Sequence, residues 1–350
     1  MKKTQKYFIP LIIIFLLLST TSCNPNKNQI ELSGTTQGTF YNIKYYSKDK
    51  INYQNSVDSI LSVIDNSLSI YNKNSTISKI NRREKNIKPD NHIIYNFNIS
   101  KEIYDETNGA FDVTAKRLFD AWGFGNHNLH NPLSEEEVEK ILPYIGNNKV
   151  KLDNNNNFIF ENDSIELCFN AVAKGYTVKV IADFFDSQNL ESYIIEIGGE
   201  VYAKGTKPFN KSWKVGIANP EKNSTSLYTF FKLNNKSAVT SGNYNNFYEY
   251  NGKKYTHVID PRNGYPTENG VLSVTVFHEN PAIADAWATA IMVLGLDQTK
   301  EIVEKIEGIG VYIIYSNQDS YNDIYQTSNE NDSTSEQKDD DFLVWTNMEI

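Results

Sequence analysis

Nothing in this sequence offers an ordinary nucleotide cradle. There is no GxxxxGKS/T phosphate loop and no GxGxxG after a strand, so P-loop and Rossmann-type folds lack support. CxxC and HExxH are also missing, which leaves zinc without a cage. His127 and His130 have ligand-like spacing, but they lie in an Asn-rich loop and read as surface residues. No Lys/Arg stripe is interleaved with aromatics and the formal net charge is −9, which argues against nucleic acid as a partner. Cysteine is scarce, with only Cys23 and Cys168 in 350 residues. Cys168, between Leu167 and Phe169, reads as a small core residue rather than a nucleophile.

What is present begins with a leader. Lys2, Lys3 and Lys6 form a basic start, Phe8 to Leu18 is almost wholly apolar, and Ser19 to Ser22 are small. That is the pattern of an export signal over residues 1–22, with an apolar run too short for a comfortable membrane span. Small residues directly before Cys23 resemble a bacterial lipobox, with Thr20 where leucine is usual. Cys23 is then the lipidated N-terminus and residues 23–33 a tether. With Cys23 acylated no disulfide is available, so the fold has to rest on its hydrophobic core.

Residues 34–316 carry mixed periodicities. Thr39, Tyr41, Ile43 and Tyr45 alternate as in a strand, whereas Val57, Ile60, Leu61, Ile64 and Leu68 follow helical spacing. Further helices are expected over 92–107, over 134–142 behind Ser134, over 171–185 behind Asn170 as N-cap, from Pro281 to Gly295, and over 298–306. Strands are expected at 149–152, 158–161, 193–197, 200–204, 213–217, 228–233, 237–240 and 310–315. Strands and helices do not alternate regularly, so the fold class is α+β, a single large domain with mixed or antiparallel sheets. Residues 317–341 are rich in Ser, Asn, Asp and Glu and read as an acidic low-complexity segment. Residues 342–350 return as a C-terminal strand.

Four clusters carry chemistry. In Asn108 to Thr114, Gly109 and Ala110 allow a planar ring close to the backbone, and Asp112 offers acceptors to a flavin edge or ribose. A helix stop followed by a turn suits those residues equally. In Asn170 to Tyr176, Lys174 adds a cation to the first helical turn, sensible if an anion such as a pyrophosphate is held there. An exposed lysine is the plain alternative. His257 and Asp260 are three apart entering a Pro/Gly turn, a composition that suits a general base and its partner carboxylate, or a solvated surface turn. Asp285 and Thr289 are four apart, hence on one helical face, two hard oxygen donors fit for a magnesium-like cation. An Asp favouring the helix dipole accounts for the first of them as well.

These clusters, in this order, resemble the ApbE family of FAD:protein FMN transferases. The resemblance also rests on Gly38-Thr39, Ser69-Ile70-Tyr71, Ile197 to Gly205, Trp213 to Pro220, Ser241 to Tyr244 and His257 to Pro266, and spans about Gly34 to Tyr315. It departs from the family pattern at Gln37, Val113, Lys179 and Asn263, where relatives often carry Met, Pro, Asp and Thr.

The resemblance implies an α+β catalytic domain that takes FAD as substrate, moves FMN to a Thr or Ser hydroxyl of an acceptor protein, and releases AMP. It implies Tyr71 against the isoalloxazine, Ala110, Phe111 and Asp112 lining the flavin site, and Lys174, Gly198 and Gly199 near the nucleotide. Mg²⁺ is implied at Asp285, Thr289 and the Ala171 carbonyl. The residues themselves point to His257 as the general base, with Asp260 orienting or polarising it. Of the five histidines it alone lies in a turn with a neighbouring carboxylate inside a family-like segment. Acceptors are implied to be redox-complex subunits, and the setting a lipid-anchored protein on the periplasmic side of a bacterial membrane, the inner membrane preferred. Two rivals use the same residues: a Mg²⁺-dependent FAD pyrophosphatase releasing free FMN, and a non-enzymatic flavin-binding lipoprotein, which needs the cleft but not the metal pair.

Overall fold

The computed structural model of the chain describes residues 28–125, 131–220, 226–244, 246–316 and 342–348. Cys23, His127, His130 and the acidic stretch 317–341 lie outside the described residues. The chain opens with an antiparallel pair, β1 (Gln29–Thr36) and β2 (Thr39–Tyr46). β1 begins inside the residues expected to form a tether. Tyr41, Ile43 and Tyr45 of β2 are buried, as their alternation requires.

Next come α1 (Gln54–Leu68), α2 (Thr76–Asn81), α3 (Asn91–Glu106), α4 (Lys116–Ala121) and α5 (Glu135–Ile141). α1 starts before the expected Ser56 and buries Val57, Leu61, Ile64 and Leu68 at three- and four-residue spacing. Local signals fix several helix starts. The side chains of Ser75 and Asp90 accept from backbone N–H groups in the first turns of α2 and α3, and Ser134 with Glu137 forms a capping box. β3 (Val150–Leu152) and β4 (Phe158–Phe160) pair around the Asp153 turn.

α6 (Ala173–Ser187) starts later than expected. Val172 is its N-cap and no side chain caps it. Asn170, expected in that role, instead donates from Nδ2 to the Tyr71 hydroxyl at 3.2 Å. There follow β5 (Tyr193–Ile197), β6 (Glu200–Lys204), β7 (Trp213–Ala218), β8 (Leu227–Leu233) and β9 (Lys236–Gly242). Two small hairpins come next, β10 (Phe247–Tyr250) with β11 (Lys253–Thr256), and β12 (Ile259–Asp260) with β13 (Tyr265–Pro266). β14 (Val271–His278), α7 (Pro281–Val303), β15 (Gly310–Tyr315) and β16 (Leu343–Thr346) complete the described chain. The Asn280 side chain accepts from Ala282 N and caps α7, and Gly295, at φ 74°, breaks its helical path where the sequence places a stop.

Eight strands form one antiparallel sheet in the order β1-β2-β5-β6-β9-β14-β15-β16. One face buries Val239, Val274, Val276 and Ile313 with Trp287 and Ile291 of α7. The other buries Ala238, Phe277, Tyr312 and Ile314 with Trp213, Ile217 and Leu233 of the β7–β8 hairpin. β14 is thus covered on both faces, and every residue from Val271 to Phe277 is buried. Ser273 and Thr275 alternate with Leu272, Val274 and Val276 along it, yet both are buried like the apolar residues because the hairpin covers their face.

Candidate active site

A cavity of about 410 Å³ opens between the N-termini of α6 and α7, the start of β6, the end of β9, and the loops around 109–113 and 257–261. A second of about 530 Å³ adjoins it on the side of Gln37, Gly38 and Leu68. Both are walled by Tyr71, Asn170 and Lys174. Tyr71 is 64% exposed, an aromatic face standing where the two spaces meet.

α6 and α7 approach closely because residue 175 is glycine. A Cβ there would lie 2.2 Å from the Pro281 carbonyl oxygen and 2.6 Å from Asp285 Cβ. The contact lets Gly175 N donate to Asp285 Oδ2 at 2.8 Å. Lys174, one residue earlier, donates from Nζ to Oε1 of Glu200, a buried carboxylate opening β6. Lys174, Glu200, Asp285, Thr289 and Ala171 all line the first cavity.

Charge is crowded here. Burial, and then the charge of Asp285, push the Glu200 carboxyl well above the usual carboxylate range. Burial raises Asp285 too, against the pull of Lys174. Burial works against the Lys174 ammonium, yet Glu200 and Asp285 together keep its pKa above the ordinary lysine value. Two carboxylates thus share one ammonium, and Glu200 Oε2 is buried without a hydrogen-bond partner. Among the described residues no three His, Cys, Asp or Glu side chains converge as a metal cage. The donors on hand are carboxylates, a threonine hydroxyl and backbone carbonyls, all hard oxygen. That set fits a small divalent cation which completes its shell with water and phosphate oxygens, as Mg²⁺ does. Sequence reasoning does not single out Glu200. Its neighbours on the same strand face are Tyr202 and Lys204, so no local pattern marks it as a buried acid.

His257 lines the same cavity. Its Nδ1 lies 3.0 Å from the Asn246 carbonyl oxygen, which can only accept. Nδ1 therefore carries the proton and Nε2 a lone pair. Burial lowers the His257 pKa below the usual 6.5, partly offset by that carbonyl. Asp260 does not orient this ring. Its carboxylate is turned into Arg262, accepting from Nε at 2.9 Å and from Nη2 at 2.7 Å, and also from the Arg262 backbone N at 2.9 Å. Asp260 does not line the cavity. The fork geometry of a guanidinium two residues away outcompetes the imidazole.

The remaining expected residues divide. Ala110, Phe111 and Asp112 line the first cavity, the first two almost wholly buried. The Asp112 carboxylate is engaged, however, accepting from Thr114 N at 2.7 Å, Thr114 Oγ1 at 2.6 Å and Asn147 N at 3.2 Å. Burial lifts its pKa to about 6 despite those donors. Gly198 and Gly199 form the β5–β6 turn and line neither cavity. A Cβ on Gly198 would meet Thr39, so the turn backs the wall at Gln37-Gly38 rather than facing the cleft. Of the departures from the family pattern, Gln37 donates to the Thr177 hydroxyl at 2.6 Å, and Asn263 accepts from Tyr265 N at 2.9 Å.

Known proteins share this sequence and fold. The ApbE family profile matches residues 37–313. An FAD:protein FMN transferase of Vibrio cholerae is 31% identical over 328 residues, covering 91% of this chain and 97% of its own. One from Haemophilus influenzae is 30% identical, covering 89% and 93%. Among solved structures, the flavin transferase ApbE from Vibrio cholerae superposes with a TM-score of 0.77 at 28% identity, covering 91% of this chain and 96% of that one. The ApbE protein of Thermotoga maritima does so with 0.72 at 30%, covering 81% and 94%. With a profile match over most of its length and relatives matched nearly end to end, the chain belongs to the ApbE family.

Proposed function

We propose that this protein is an FAD:protein FMN transferase, moving FMN from FAD to a Thr or Ser hydroxyl of an acceptor protein and releasing AMP. One observation carries the reading. A histidine with a free Nε2, the Lys174 ammonium and the hard-oxygen donors Glu200, Asp285 and Thr289 line one cavity of about 410 Å³, within the usual size range of ligand sites. The names of the matched relatives support the same activity.

Tyr71, Ala110 and Phe111 would hold the flavin ring, and Lys174 would sit by the pyrophosphate. Asp112 would shape the flavin wall through its grip on Thr114 and Asn147 rather than offer free acceptors. His257 Nε2 takes the proton of the acceptor hydroxyl as that oxygen bonds to the FMN phosphorus. The bridging P–O bond breaks and AMP leaves with the electron pair. Asp285, Thr289 and the Ala171 carbonyl, with Glu200 behind them, would hold Mg²⁺. Mg²⁺ held there would supply positive charge to offset that of the diphosphate. Lys174 and the N–H groups at the start of α6 add fixed positive potential without reorganisation.

Lipid attachment at Cys23, residence on the periplasmic side of a membrane and acceptors in redox complexes complete the proposal, on the support of the leader pattern and the family resemblance. In-gel flavin fluorescence on an acceptor domain incubated with FAD and Mg²⁺ separates the proposal from its hydrolytic rival. Fluorescence on the protein band supports transfer, whereas free FMN alone contradicts it.

A further inference from the structure

The β7–β8 hairpin lies away from the cleft and carries an unusual surface. Residues 204–236 contain seven lysines and one glutamate, with no Arg or Asp, in a chain of net charge −9. Among the described residues, the one lysine of this stretch held in an ion pair is Lys204, with Asp186 at 3.0 Å. The inner face of the hairpin packs Trp213, Ile217 and Leu233 on the sheet. Its outer face pairs Lys214 with Lys232 and Gly216 with Phe230 across the strands. Like charges set directly opposite destabilise a strand pair, so this fold carries a cost that packing does not explain.

Aromatic and aliphatic groups stand among those charges. Phe230 is 56% exposed and Leu227 65%, and the Lys214 ammonium sits 4.3 Å from the Phe230 ring centroid. Phe209, between Lys207 and Lys211, is 70% exposed and held at φ 62°, a left-handed conformation unusual for a bulky residue. The sequence has no basic stripe, yet strand pairing brings Lys214 and Lys232 to one face with the exposed Phe230 and Leu227. An anionic lipid surface recognises such a face, with headgroup phosphates for the ammonium groups and the acyl boundary for the apolar groups.

Position points the same way. Gln29, which opens β1, pairs with Tyr46 and accepts from its hydroxyl at 3.0 Å. The Tyr46 ring lies 6.1 Å from Trp213 of β7. The chain therefore joins the fold beside the hairpin, and Cys23 is six residues upstream, a reach of at most ~20 Å. Acyl chains anchored there would hold the hairpin at the headgroup layer, and a basic patch supplies the second signal that turns marginal lipid anchoring into stable attachment.

We propose that the outer face of the β7–β8 hairpin docks on anionic phospholipid, with Lys214 and Lys232 against phosphates and Leu227 and Phe230 in the headgroup layer. The geometry rests on anchoring at Cys23, and the surface chemistry stands apart from both anchoring and FMN transfer. Its test uses the full chain carrying Cys23→Ser, sedimented with vesicles of phosphatidylcholine alone or mixed with phosphatidylglycerol. The leader is common to every variant, so differences between variants report the hairpin.

Lys214→Gln/Lys232→Gln relieves the opposed charges and is expected to fold, with an unchanged thermal midpoint or a raised one. It should lower partition onto the anionic vesicles roughly thirtyfold, two lysines each contributing about fivefold, and barely alter binding to neutral ones. Phe230→Ser should weaken anionic-vesicle binding at constant charge. Equal sedimentation of the lysine variant and its parent on anionic vesicles overturns the proposal. Unchanged vesicle binding with slower flavinylation of a soluble acceptor overturns it too and assigns the face to a protein partner. A parent that binds vesicles but transfers no FMN speaks against the proposed activity and leaves the lipid inference standing.

Discussion

Glu200 Oε1 accepts from Lys174 Nζ, tying the first residue of β6 to the first turn of α6. Glu200 is 1% exposed, and its other oxygen has no protein partner. The pair positions the ammonium at the mouth of a helix whose backbone already favours anions, and leaves carboxylate capacity facing Asp285.

Removing one member of that pair strands the other. Glu200→Ala should destabilise the protein by on the order of 3 kcal/mol, the low end for a broken buried pair, because the Lys174 side chain keeps 33% exposure. Lys174→Ala should cost a similar amount, and the double variant clearly less than the sum. Denaturant unfolding of the four proteins measures the coupling. Additive losses would show that the pair is not an energetic unit.

Asp285 is buried and accepts the Gly175 N–H, so a bare truncation also orphans a backbone donor. Asp285→Ala should therefore lose about 1–3 kcal/mol of stability as well as turnover. Asp285→Asn retains an acceptor and should keep the fold while abolishing Mg²⁺-dependent transfer. Titration of rate against Mg²⁺ checks this, and near-normal transfer by Asp285→Asn at limiting Mg²⁺ would remove the residue from the metal site.

His257→Ala should slow transfer on the order of a hundred- to ten-thousand-fold with little change in FAD affinity. Burial lowers the His257 pKa below 6.5, so the neutral base persists into mild acid. Wild-type transfer should rise with pH through a group titrating below 6.5 and then level off, and His257→Ala should lose that rise. Asp260→Asn should cost stability through its lost charge on Arg262 but retain the same pH profile, since its carboxylate faces away from His257. A shifted profile in Asp260→Asn would restore the carboxylate–histidine dyad expected from sequence.

Local chemistry in the sequence sets many of these features. Ser134 with Glu137, Asn280 with Pro281, and Gly295 mark helix limits, and the structure uses them as such. The i,i+4 spacing of Asp285 and Thr289 puts both on one cavity wall. The features that sequence does not reveal depend on tertiary contacts. The burial of both faces of β14, Ser273 and Thr275 included, is set by the layers that cover it, and Asp260 has to choose between two partners at short sequence distance. Glu200 gains meaning only when α6 is laid over β6. Asn251-Gly252 is a local signal of another kind: with both residues at positive φ, it makes the two-residue turn of the β10–β11 hairpin.

Anchoring has its own test. Cys23→Ala should release the protein from the membrane fraction into the soluble periplasmic fraction at physiological salt, with at most residual binding through the hairpin. Full retention of that variant would show that Cys23 is not the anchor.

The central claim is covalent transfer, and intact mass measurement of an acceptor domain tests it most directly. After incubation with the protein, FAD and Mg²⁺, the acceptor should gain the mass of one FMN phosphoester, with one AMP released per acceptor modified. Substituting the modified Thr or Ser of the acceptor should abolish the gain. AMP and free FMN formed in equal amounts, with the acceptor mass unchanged, would contradict the account and make the protein a hydrolase of FAD.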